Sequence, residues 1–102
     1  MLGPHGRRSE AYRPVVMGTR GMVVAGHPLA AGAGLQIMQQ GGNAIDAAVA
    51  TAAALGVVEP QMSGLGGDGF IMIHRREAGT TEVVNGTGAA PGAATREAYA
   101  DG

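Results

Sequence analysis

Polar positions dominate residues 1–19, and Gly3, Pro4, Gly6 and Pro14 break them up further. That pattern predicts a flexible leader that docks only near Val15 and Val16. From Gly21 the apolar positions become regular. Met22-Val23-Val24-Ala25 is a short β-branched run closed by Gly26, which predicts a strand. Pro28 suits the first turn of a helix, where a missing N–H goes unnoticed. Ala31, Gly34, Leu35 and Met38 then share one face at helical spacing, with Gln36, Gln39 and Gln40 gathered opposite. Gly41 is placed to stop that helix in a left-handed cap. Asn43 is placed to cap the next one, with Asp46 favouring the positive end of its dipole. This second helix, about Ala44 to Gly56, is apolar almost all round and reads as buried.

Pro60 closes that segment, and a glycine loop, Ser63 to Gly69, leads into Phe70-Ile71-Met72-Ile73-His74. The run is apolar on both alternating faces and predicts a central strand covered on both sides. A turn at Glu77 to Thr80 returns the chain as a second strand, Thr81 to Asn85. Gly86 to Pro91 reads as loop, and Thr95 as the cap of a short helix through Tyr99. The order is strand, helix, helix, hairpin, loop, without internal repeats. It defines an α+β chain.

Composition narrows the function classes. The chain has 102 residues, a net charge of -1 and only 3% aromatics, so its core must be built from small side chains. Such a core packs thinly, and an independent fold is not expected from it. There is no basic stripe with interleaved aromatics, which excludes a nucleic-acid interface of the usual kind. Without cysteine there is no disulfide framework, thiol nucleophile or thiolate metal site. The first residues lack an apolar signal region, and the stretch from Ala44 to Val58 falls short of the roughly 20 residues that span a bilayer. A cytoplasmic protein with no membrane partner is expected.

Gly64-x-Gly66-x-x-Gly69 matches a dinucleotide fingerprint in letters, but that chemistry needs a strand before the glycines and a helix after them. Here the order is reversed, so the glycines are read as allowing a sharp turn and close approach. Thr80 and Thr81 are read as turn and strand residues, because cleavage before Thr81 would leave no room for a catalytic subunit. The three histidines lie far apart, and the strand end between His74 and Glu77 does not make ligand geometry, so no metal is expected. His27 is expected to satisfy backbone amides at the first helix. Asp68 is expected to order the glycine loop by accepting backbone N–H bonds, or else to line a polar pocket.

Several segments together resemble the gamma-glutamyltransferase (gamma-glutamyl transpeptidase) family in order and spacing. They are Gly21 to Val24, His27 to Ala30, Gly41 to Ala50, Gly56 to Pro60 and Ser63 to Phe70. The resemblance implies that residues 20–102 are the N-terminal segment of a large subunit, an incomplete domain. It further implies a partial αββα sandwich of the N-terminal-nucleophile hydrolase type. In that family a precursor cleaves itself. The new terminal threonine of the small subunit attacks a γ-glutamyl or related amide, and water or an amino acid takes the acyl group. The implied partners are therefore the small subunit, or remainder of the same precursor, and a small-molecule amide substrate. No cofactor is implied, and no catalytic residue falls within this chain.

One departure concerns substrate. Family members that bind γ-glutamyl groups carry an arginine in a motif like D-F-R-E-x-A-P, which holds the substrate α-carboxylate. Aligned on Ala90-Pro91, this chain places Thr87 there, so Thr87 is the candidate substrate-binding position. A hydroxyl cannot replace a bidentate charged clamp. The sequence is thereby closer to the gamma-glutamyltransferase-like and cephalosporin-acylase-like branch. The alternative is a non-catalytic remnant or interaction module from a truncated gene.

Overall fold

The computed structural model describes residues 14–100. Most of the expected leader, residues 1–13, lies outside the described residues. Two helices, α1 (Pro28–Gln39) and α2 (Ala44–Val58), are followed by two strands, β1 (Phe70–Arg75) and β2 (Thr80–Asn85). A single 3-10 turn, Glu97–Tyr99, comes last; its N-cap is Arg96 rather than the expected Thr95, although Thr95 Oγ1 accepts the Ala98 N–H at 3.3 Å. The α+β order thus holds.

Local chemistry sets the helix ends. Pro28 occupies the first turn of α1, and the His27 ring nitrogen Nδ1 accepts the Leu29 N–H at 3.1 Å, the amide-satisfying role expected of it. At the other end Gly41 takes φ +99°, its N–H donating to Met38 O while the Gly42 N–H reaches Ile37 O. That is a complete Schellman stop. One residue later Asn43 Oδ1 accepts from Ile45 N and Asp46 N at 2.9 Å each, and Asp46 Oδ2 accepts the Asn43 N–H at 2.9 Å. This reciprocal capping box starts α2 with no residue to spare.

α1 and α2 pack directly against each other. The contact is made by small groups: Ala30, Gly34, Ala47 and Thr51 are the buried residues. A side chain at Gly34 would collide with Thr51 Oγ1 and lie 3.0 Å from Ala47 O. Thr51 spends its hydroxyl on Ala47 O at 2.8 Å, so no polar atom is stranded there.

Several expectations need correction. On the expected face of α1, Gly34 is buried and Ala31 and Met38 are half-buried, but Leu35 remains 44% exposed and Ala30 is buried in its stead. Close approach selects the smallest side chains rather than the bulkiest. α2 continues past Gly56 to Val58, because glycine weakens a helix without stopping it. Pro60 disfavours helical angles at Glu59 and ends it there. Nor is α2 buried all round, since Val49 and Val57 are 65% and 79% exposed. Met22 to Ala25 pairs with no strand among the described residues, although its burial still alternates: Val23 and Ala25 are half-buried, Met22 and Val24 exposed.

β1 and β2 form a two-stranded antiparallel sheet in the register Phe70↔Asn85 through Arg75↔Thr80, turned by Arg76 to Gly79 with Gly79 at φ +62°. One face carries Phe70, Met72 and Val83; the other carries Ile71, Ile73 and Val84. Both faces are apolar towards Phe70 and polar towards the turn. The cover expected on β1 is not supplied by the described residues, and Phe70 and Met72 stay 72% and 73% exposed.

Candidate functional site

The hairpin register brings two loops together. Phe70 opens β1 and Asn85 closes β2, and they are partners. Pairing continues one step further, with the Gly86 N–H donating to Gly69 O at 2.8 Å. The glycine loop (residues 63–69) and the loop of residues 86–91 therefore leave the same end of the hairpin side by side. A Cβ on Gly86 would sit 3.0 Å from Gly69 O, so this junction is tight.

Within the glycine loop, Gly66 has φ +79° and the Gly67 N–H donates to Gly64 O at 3.2 Å. Residues other than glycine rarely adopt that angle. Helix α2 precedes the loop and β1 follows it, the reverse of a nucleotide-binding order. The loop borders an open concavity of about 350 Å³ together with Pro60 and Met62. Asp68 lines it, but no side-chain hydrogen bond among the described residues involves Asp68. Its expected role as the acceptor that orders the loop is therefore corrected. The backbone bond from Gly67 to Gly64 and the left-handed Gly66 shape the turn instead.

Thr87 lies exposed in the adjoining loop. Its N–H reaches Asn85 Oδ1 at 3.1 Å, and its hydroxyl Oγ1 reaches the same oxygen at 2.7 Å. Sequence reasoning missed Asn85. The signal was the Asn-x-Thr spacing, since asparagine readily accepts from the backbone two residues on. Glu59 was missed as well: its carboxylate lies so close to Gly26 that a Cβ there would be 2.8 Å from Oε2. Gly26 leaves room for that carboxylate, so the end of α2 lies beside the start of α1.

The remaining candidates stand apart. His74 Nδ1 is 2.9 Å from Thr81 Oγ1 across the sheet, so it pairs with a strand threonine rather than with Glu77. Thr80 and Thr81 both lie in β2. Arg75 and Glu82 approach to 3.7 Å as an exposed ion pair. Among the described residues no three of His, Asp and Glu cluster as metal ligands, and no helix is long and apolar enough to cross a membrane.

Known proteins share this arrangement. The family model described as gamma-glutamyltranspeptidase matches residues 30–102. The glutathione hydrolase proenzyme of Bacillus subtilis (strain 168) is 44% identical over 92 residues, covering 90% of this chain and 16% of that protein. The acylase ACY 1 proenzyme of Pseudomonas sp. (strain SE83) is 54% identical over 82 residues, 80% of this chain and 14% of that one. The crystal structure of Helicobacter pylori gamma-glutamyltranspeptidase superposes with a TM-score of 0.74 at 40% identity, covering 81% of this chain and 24% of that one. The chain thus spans about one sixth of the length of the curated relatives it matches.

Proposed function

Because the chain belongs to the gamma-glutamyltranspeptidase family, we propose that it forms the N-terminal part of the large subunit of an acyl-transfer enzyme. The remainder of the same precursor would supply the threonine nucleophile. Its hydroxyl attacks the amide carbonyl of a small-molecule substrate, the amine leaves with a proton, and water or a second amine releases the acyl group. The open hairpin faces and the unpaired run at Met22 to Ala25 support a place in an αββα sandwich completed by that remainder. An apolar strand open on two sides has unmet burial.

The observation that carries the substrate reading is the state of Thr87. At the position aligned with the family's carboxylate-binding arginine stands a neutral side chain, turned onto Asn85 at 2.7 Å. Missing one partner of a charge-assisted pair costs about 2–5 kcal/mol of binding. The proposed enzyme therefore acts on acyl groups other than the γ-glutamyl group of glutathione. The test compares kcat/KM for glutathione in the full-length polypeptide and its Thr87→Arg variant. A gain of about tenfold or more in the variant is expected, the worth of a hydrogen bond to a charged group. Efficient glutathione turnover by the unmodified protein would overturn the reading.

A further inference from the structure

We infer that Asn85 is a positioning residue that holds Thr87 as a hydrogen-bond acceptor, so that this loop selects a neutral carboxamide-bearing acyl end over a carboxylate-bearing one. The inference rests on the acyl-transfer reading and deepens it by naming the substrate class.

The polarity follows from two distances to one atom. The Thr87 backbone N–H can only donate, and it lies 3.1 Å from the Asn85 side chain. The atom it meets must be the amide oxygen, because an NH₂ cannot accept. Thr87 Oγ1 lies 2.7 Å from that same oxygen. An oxygen that only accepts leaves the hydroxyl one choice, which is to donate its single proton to Asn85. What Thr87 Oγ1 still offers is lone pairs, and what Asn85 still offers is the two N–H groups of Nδ2. An acceptor beside a donor complements a primary carboxamide, which presents one of each. A carboxylate presents acceptors alone and finds lone pairs at Thr87.

Charge points the same way. Across residues 63–69 and 86–91, the two loops that leave the hairpin together, the sole charged side chain is Asp68, an anion. It directly precedes Gly69, whose carbonyl holds Gly86. No cation in either loop compensates a carboxylate ligand. Hydroxyl polarity and loop charge are independent features, and both favour the neutral ligand.

The experiment uses the full-length polypeptide and two p-nitroanilides differing only at the acyl end, glutaramoyl (carboxamide) and glutaryl (carboxylate). The unmodified protein should favour the carboxamide by about tenfold in kcat/KM, as for sites that leave a polar partner unmatched by the wrong ligand. Asn85→Ala frees the hydroxyl to donate and should collapse that ratio towards one. Asn85→Asp keeps an acceptor in place and should keep the preference. A merely structural role would lower both rates together and leave the ratio unchanged in Asn85→Ala, and that result overturns the inference, as does a native preference for glutaryl. If neither anilide turns over, the acyl-transfer reading fails separately. Calorimetric binding of methyl glutaramate against monomethyl glutarate to the same proteins then decides. Preference for the amide that is lost in Asn85→Ala supports the assignment, and its absence overturns it.

Discussion

α1 and α2 meet through Ala30, Gly34, Ala47 and Thr51, groups so small that the helices supply each other's buried surface. β1 and β2 do the opposite. Phe70, Met72 and Val83 on one face, and Ile71 and Val84 on the other, are all more than half exposed. The helical pair carries its own stops, caps and close contact within some 30 residues of chain, a span read from Pro28 to Val58. The hairpin carries its own register and turn, but bulky side chains on two sides need two further layers. Small residues make a contact complete within the segment, whereas large ones on both faces refer the strand to protein elsewhere.

That contrast can be broken at its strongest point. In the full-length polypeptide, Phe70→Ala should lower stability by about 3–5 kcal/mol, the usual loss for an aromatic ring in a core. Denaturant titration measures it, and a small effect would mean that the hairpin face stays open in that protein. Next in size, Gly34→Ala should cost about 1–3 kcal/mol through overpacking against Thr51 and Ala47. A thermal melt unchanged by the substitution would show that α1 and α2 are free to separate. The smallest effect is expected at the junction of the helices, where Asn43→Ala removes the acceptor of two N–H groups and should cost about 1 kcal/mol. Loss of helical circular dichroism on mild heating reads it, and an unaltered curve would assign the start of α2 to packing alone.

The ends of elements were the most legible part of the sequence. Pro28, Gly41, Asn43 and Asp46 each act through their own backbone neighbourhood, so residue type alone announces a start or stop. The hairpin and the reversed order around the glycine loop were legible for the same reason. What the sequence concealed depends on neighbours distant along the chain. The buried line of α1 is chosen by the shape of α2, so Ala30 joins Gly34 there in place of Leu35. Met22 to Ala25 keeps a strand's alternation, yet a ladder needs a partner strand that the described residues do not provide. At the candidate site Thr87 was identified by its position, while the geometry that fixes its hydroxyl was not. Nor was the freedom of Asp68, because acidic residues in glycine turns often bond the local backbone and this one does not.

Asn85 followed by Gly86 also has a chemical lifetime. In an unrestrained Asn-Gly pair, the glycine nitrogen loses its proton and attacks the side-chain carbonyl carbon. Ammonia is expelled, and water opens the resulting succinimide to aspartate or isoaspartate. Here the Gly86 N–H is held by Gly69 O at 2.8 Å, so the attacking nitrogen is occupied. The last rung of the hairpin thus shelters its own weakest link against ageing. Protein stored with that rung frayed accumulates an acid at residue 85, and the isoaspartate fraction in a peptide digest records how long the two loops have been apart.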